Sequence, residues 1–396
     1  MSKPAITGKN FALFSYGFRP FFLLTGLYAV IAVTIWLLTL FTGTWPDNNL
    51  PPYLWHGHEM IFGFVAAAIA GFLLTAVPSW TGQRVIAGWP LAGLAAAWIG
   101  GRLVLAFHAS LPPEFTAIVD LAFFPLLGLV LAPSLLRGKA RNMIFLLFLA
   151  VLFAANLVFH LAMVRSDMAL ASRGLLLGIN TVLLIISIIG GRIVPAFTQG
   201  AVRRKDNTFT IRPLPMLDRA AISSIFLVLV IDLIWPYSTT AGWLAVIAAL
   251  IHTVRFARWE TRRAVSEALV WILHAGYAWV IIGLALKGIF LLTGSLFSSA
   301  WLHAFTTGAF ATMILGVMTR AALGHTGRPL VAPPLVVAAY VLISLAAIVR
   351  VSGPLFPGGY LNSIAASGVI WIAAFTLFLI VYTPILLAPR ADDGPG

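Results

Sequence analysis

The sequence predicts an all-α polytopic membrane protein, and three observations carry that prediction. Of its 396 residues, 61% are hydrophobic and only 9% charged, whereas soluble globular domains carry roughly a quarter charged residues. The apolar residues fall in runs of about 20, the length that crosses the hydrocarbon core of a bilayer as a helix. Basic residues gather on alternate connections between those runs, the pattern that sets orientation in a membrane.

Twelve spans follow from the apolar runs, at 20–42, 58–78, 88–108, 115–136, 142–164, 172–195, 217–237, 239–257, 265–291, 299–322, 331–351 and 361–388. The first run follows Arg19-Pro20 and is too long for the apolar stretch of a cleaved signal. The longest connection, Arg192 to Arg219, is basic and too short for a folded domain, so residues 1–396 are expected to form a single transmembrane domain. Of the 25 basic residues, Arg165, Arg173 and Arg350 fall on one side, and Arg102 and Lys287 fall within spans. The rest, including Lys3, Lys9 and Arg141, fall on the side shared by the N-terminus and the even-numbered loops. The positive-inside rule then puts both termini in the cytoplasm. The formal charge of +13 reports orientation and attraction to anionic lipid, and nucleic acid is not an expected partner.

The chain has no cysteine, which excludes thiolate-ligated haem, iron–sulfur clusters and disulfides. Histidine, methionine, tyrosine and carboxylates remain as metal ligands. Among the eight histidines, His56, His58, His108, His160 and His303 all lie toward the outer face. His274 sits near mid-membrane, His252 in an inner half, and His325 in an inner loop. An imidazole without a partner is costly in lipid, so histidines at one depth point to a bound metal or haem. No P-loop, dinucleotide fingerprint or Ser-His-Asp arrangement is present.

Spans 2 and 10 run in the same direction and align without gaps. His58 falls on His303, Gly63 on Gly308, Gly71 on Gly316, Thr81 on Thr326 and Gly82 on Gly327. At the inner end of span 6, Val194-Pro195-Ala196-Phe197-Thr198 echoes Val77-Pro78-Ser79-Trp80-Thr81. If helices 2, 6 and 10 are equivalent, the chain is built of three pseudo-equivalent four-helix units. That plan is similar to haem–copper oxidase cores, an analogy of architecture and not of function.

Each motif has a chemical reading and a plainer one. His56 and His58 are about 200° apart if helical, so their rings face opposite ways, whereas an extended pair forms one arm of a copper site. Their plain alternative is an interfacial pair beside Trp55. Glu59 is a proton acceptor beside a ligand imidazole, or an acid favoured at a helix N-terminus. Asn156, one turn before His160, is placed to hold that ring in one tautomer. Tyr277 shares a face with His274. Arg102 and Lys287 meet haem propionates or snorkel to the interface. Arg192 and Arg320 end spans 6 and 10, where basic residues are expected in any case. His108 and His252 read as structural, and no partner for Asp232 is legible.

Together these motifs resemble the NnrS family of bacterial haem- and copper-containing membrane proteins. The residues carrying the resemblance are Phe18-Arg19-Pro20-Phe21-Phe22, Trp55-His56-Gly57-His58-Glu59-Met60, and Gly71 to Pro78 with Trp80-Thr81-Gly82. Further on come Gly190-Gly191-Arg192, Leu273-His274-Ala275-Gly276-Tyr277, Trp301-Leu302-His303-Ala304, Val317-Met318-Thr319-Arg320 and Gly324-His325-Thr326-Gly327-Arg328. The resemblance implies bound haem b and copper in the bacterial inner membrane, with a role in nitric oxide metabolism and nitrosative-stress defence. On that expectation, His58, His303 and His274 with Arg19, Arg102 and Arg320 bind haem. His56, His58, His160 and His303 form the metal-ligand pool, and Glu59 and Tyr277 serve proton transfer. A nitric oxide reductase-type reaction, 2 NO to N2O near the periplasmic face, suits such a site but requires an electron donor that no motif identifies. Two other classes remain: a non-catalytic haem protein that handles NO or metal, and a secondary transporter. Transporters place polar sites near the midplane, whereas these ligands crowd the outer half.

Overall fold

The computed structural model describes residues 12–43, 50–139, 142–295, 298–356 and 358–392; Lys3, Lys9 and Arg141, used above for orientation, lie outside them. Within the described residues the chain is helical and contains no strand. Its long helices, in order, are α1 (Phe18–Thr42), α2 (Pro52–Thr81), α3 (Trp89–Ala106), α4 (Pro113–Arg137), α5 (Ile144–Val164) and α6 (Met168–Arg203). They continue as α7 (Pro215–Ile234), α8 (Thr239–Ala257), α9 (Ala268–Thr293), α10 (Ser299–His325), α11 (Pro334–Leu355) and α12 (Tyr360–Leu387). Eleven of these are long and apolar enough to cross a membrane. The exception, α7, has 20 residues and carries Asp218, Arg219 and Asp232. Both of its acids are neutralised inside the protein, Asp218 by Arg255 and Asp232 by Lys287.

Local chemistry sets the helix ends. Pro52, Pro113, Pro215 and Pro334 open their helices, at positions where a backbone N–H would have no intrahelical partner anyway. Gly43, Gly82 and Gly294 stop α1, α2 and α9 at φ of +67°, +69° and +65°, a left-handed conformation that costs glycine little. The Ser238 hydroxyl accepts the Ala241 N–H at 3.1 Å and caps α8.

The chain divides into two compact units. The first contains the described residues of Met1–Gly178, Met318–Leu330 and Phe375–Gly396, and the second those of Ile179–Val317 and Val331–Ala374. In the first, α1 packs on α2, α3 on α4, and α4 on α5, around Phe18, Phe21, Phe22, Phe62 and Phe159. In the second, α8 lies between α7 and α9, and α10 packs against α9 and α11, burying Tyr277, Trp301 and Tyr340.

Two helices carry a π turn immediately after a histidine. In α2 it covers Glu59–Val65, following His58, and in α10 Ala304–Phe310, following His303. Under the gapless alignment of spans 2 and 10 these turns coincide residue for residue. Gly82 and Gly327 also share a φ of +69°. By contrast α6 is α-helical throughout, so the local likeness of α2 and α10 does not extend to it. A π turn carries one residue more than the α-helix needs and is common where a side chain must be re-aimed.

Candidate metal centre

Most of the buried polar chemistry of the first unit converges on one carboxylate. Asp120 of α4 is 2% exposed. Its Oδ2 accepts from Asn156 Nδ2 at 2.7 Å and faces His160 Nε2 at 2.9 Å and His58 Nε2 at 3.2 Å. Its Oδ1 accepts from Arg102 Nη2 in a short ion pair. Arg102, on α3, also donates through Nη1 to Glu59 Oε1 at 2.9 Å, the atom that faces His58 Nδ1 at 2.9 Å. The Tyr28 hydroxyl of α1 donates to the other Glu59 oxygen. His58 and Glu59 are fully buried, and Arg102, Asn156 and His160 nearly so.

Backbone features make this convergence possible. In α2 the segment Pro52–His58 is helical, so His56 and His58 do face opposite ways. The His56 ring stacks on Trp36 at 4.5 Å, while His58 turns into the cluster between Phe62 and Phe159. The π turn opens behind it, and the Gly63 carbonyl accepts the Trp98 indole N–H at 3.1 Å. A Cβ on Gly63 would collide with Tyr28 and Arg102, and one on Gly101 with Asp120. The two glycines therefore let three helices close around the ion pairs. Asn156 and His160, four residues apart on α5, present one face to Asp120.

Hydrogen-bond bookkeeping defines what the cluster lacks. Two carboxylates and one guanidinium leave one negative charge. Both ring nitrogens of His58 face oxygen acceptors, the second being Asn156 Oδ1 at 2.8 Å. Protons on the rings or a metal cation meet that demand. His58, Asp120 and His160 each offer a ligand atom, all within 4.8 Å of one another. Two atoms bound to one first-row ion at about 2.0–2.1 Å and at tetrahedral or octahedral angles lie about 2.9–3.4 Å apart. Two of the three separations, 2.9 and 3.2 Å, fall in that range, and the third is within 4.8 Å. Two imidazoles and a carboxylate suit iron, copper or zinc.

The other sequence-predicted residues lie elsewhere. In the second unit, His303 Nδ1 donates to the Ser299 carbonyl at 2.7 Å, which fixes the orientation of the ring. His274 hydrogen-bonds through both nitrogens, Nε2 to Thr198 at 2.8 Å and Nδ1 to Thr261 at 3.0 Å. Thr198 donates its own hydroxyl proton to Val194 O. Its oxygen therefore accepts from His274 Nε2–H, and Nδ1 accepts from Thr261. Tyr277 belongs with His252, not His274. Its hydroxyl faces His252 Nδ1 at 2.8 Å and accepts from Arg255 at 2.9 Å. Arg19 is buried in the first unit, where Nη1 donates to the carbonyls of Leu386 and Ala388 at the end of α12. His325 ends α10 with its ring against Tyr16 and Phe18, and Arg320 lies five residues before the end of the same helix, half-buried.

Two readings change. Asn156 serves His58 and Asp120, and the partner of His160 is Asp120. Lys287 does not snorkel; it is 1% exposed and paired with Asp232, which Asn180 Nδ2 also approaches at 2.8 Å. Asp120 and Tyr28 were missed. Asp120 had a usable signal, since an acid within an apolar span is a functional candidate by default. Tyr28 had none.

The fold and the cluster together define a polytopic α-helical membrane protein with a buried His58–Asp120–His160 cluster. The family profile described as NnrS protein matches residues 12–390, and the chain belongs to the NnrS family. No curated protein matches it.

Proposed function

We propose that the chain is a metal- and haem-binding protein of the bacterial inner membrane that acts in nitric oxide metabolism, reducing NO to N2O near the periplasmic face. The observation that carries this reading is the convergence of His58 and His160 on Asp120 Oδ2, at 3.2 and 2.9 Å. Copper fits this donor set, with His58, Asp120 and His160 as the residues that would hold it. Such an ion would supply a coordination position for NO and one-electron redox chemistry.

Haem does not fit between His58 and His160, because Asp120 and Asn156 fill the space their nitrogens face. His303 would be the better residue to hold haem, since its ring is oriented by a hydrogen bond from Nδ1 to a backbone carbonyl. His274 would have to give up a threonine hydrogen bond to ligate. Arg19 donates through Nη1 to α12 carbonyls and Arg102 through both Nη atoms to carboxylates, which supports structural roles for both.

The reaction 2 NO + 2 e⁻ + 2 H⁺ → N2O + H2O needs protons where water is scarce. Glu59 lies against His58 and receives the Tyr28 hydroxyl, so this pair can hold and pass a proton beside the donor set. Arg102, bridging Glu59 and Asp120, fixes the spacing of the two carboxylates. The electrons come from a donor outside the chain.

The test is metal and optical analysis of the purified protein, followed by anaerobic NO addition with a reductant. We expect stoichiometric metal and N2O formation, both lost in a folded Asp120→Asn variant. Metal that binds NO without consuming it leaves a non-catalytic NO-handling protein. A folded, metal-free and colourless protein overturns the reading and favours transport.

A further inference from the structure

A second feature, independent of the histidine cluster, lies in the other unit at the ends of α6, α7 and α8. A cavity of about 300 Å³ opens there, lined by Arg192, Arg212, Arg255 and Arg258 with Asp218 as its one acid. Arg255 forms the floor and is 3% exposed. Its guanidinium is fully engaged, by Asp218 at 2.8 Å, the Ser187 carbonyl at 2.8 Å and the Tyr277 hydroxyl. It also lies over the Trp259 ring at 5.6 Å. Gly191 makes room for it, since a Cβ there would overlap the guanidinium.

With Arg255 neutralised by Asp218, Arg212 and Arg258 leave the cavity cationic. Arg212 and Arg258 are both exposed, and their guanidiniums are the natural partners of phosphate oxygens. The loop carrying Arg212 is held to α6 by the Ile211 N–H, which donates to Gln199 Oε1 at 2.9 Å. Pro195, Pro213 and Leu214 supply an apolar side to the wall. Scattered basic residues at a membrane interface explain orientation, but they do not explain a concave site with a buried, fully bonded floor. The volume is at the small end of ligand pockets, about 300–1,000 Å³, and suits a headgroup-sized anion. Basic pockets between helix ends at the cytoplasmic side are known to take anionic lipid headgroups.

We infer that this cavity binds a phosphate ester, either the headgroup of an anionic phospholipid or a soluble phosphate compound. Arg212 and Arg258 contact its oxygens, and the Arg255–Asp218 pair keeps the floor in shape. The inference requires no metal and stands apart from the proposed NO chemistry.

The experiment uses the full-length protein in phosphatidylcholine nanodiscs. Phosphatidylglycerol is titrated in and retained lipid counted by native mass spectrometry. In parallel, inorganic pyrophosphate is added in detergent and thermal unfolding followed. The test variant is Arg212→Gln with Arg258→Gln; the control is Arg84→Gln with Arg137→Gln, two exposed arginines of the first unit. We expect one anionic lipid retained in preference to phosphatidylcholine, with affinity about fivefold weaker for each cavity charge removed and unchanged in the control. A pyrophosphate-induced shift lost only in the test variant instead identifies the soluble source. No anion preference in either arm, or equal losses in both variants, overturns the inference.

Discussion

Asp120 is the residue on which the candidate centre turns, because one of its oxygens receives Asn156, His58 and His160 while the other holds Arg102. Asp120→Asn keeps the shape and removes the charge. Metal content is expected to fall from about one per chain to background, with the helical circular dichroism retained. Metal retained at full stoichiometry sinks the three-ligand assignment. A different residue test concerns Lys287 and Asp232, which pair inside the second unit at 1% and 3% exposure. Removing one partner of a buried pair strands a charge, at a cost of about 3–5 kcal/mol. Lys287→Met is thus expected to destabilise by that amount, and Lys287→Met with Asp232→Asn to recover most of it, read from unfolding in detergent. An unaffected single variant would mean that water reaches the pair.

Among the elements, the π turns decide where the histidines point. The turn at Glu59–Val65 begins one residue after His58. Inserting one alanine after Ala66, in the regular helix beyond the turn, would rotate everything before it by about 100° relative to everything after it. His58 then leaves Asp120, so metal binding should be lost while total helicity stays near wild type. Gly63→Val is expected to act from the other side, since its side chain would push Arg102 and Tyr28 away from Glu59. Arg19 is an element-scale device as well. It collects the carbonyls at the end of α12, and those C-terminal carbonyls have no intrahelical partner. Arg19→Met should therefore lower the unfolding temperature without changing metal content, and a loss of haem alone in that variant would return Arg19 to the cofactor.

At the scale of the whole molecule, the distribution of basic residues predicts that both termini face the cytoplasm. A C-terminal green fluorescent protein fusion should fluoresce, and a C-terminal alkaline phosphatase fusion should be inactive; the reverse pattern would invert the proposed periplasmic placement of the His58 cluster. The spans were legible because a bilayer demands about 20 apolar residues for each crossing, and eleven helices meet that demand on length and composition. The count of twelve rests on α7, whose Asp218, Arg219 and Asp232 break the apolar pattern and are intelligible only once Arg255 and Lys287 are seen beside its two acids. His58, Glu59, Arg102 and His160 were legible as polar residues in apolar runs, and the geometry groups these four. It leaves His56 on the opposite face of α2, and His274, Tyr277 and His303 in the second unit.

What the sequence by itself determined is therefore what a one-dimensional pattern can encode: the apolar helices and their order along the chain. Both follow from the local cost of placing a residue in lipid. Partner choice is not local. Asp120 lies 62 positions from His58 and 40 from His160 in the chain, and only the packing of α2, α4 and α5, with glycines allowing close approach and a π turn re-aiming one ring, decides that they meet.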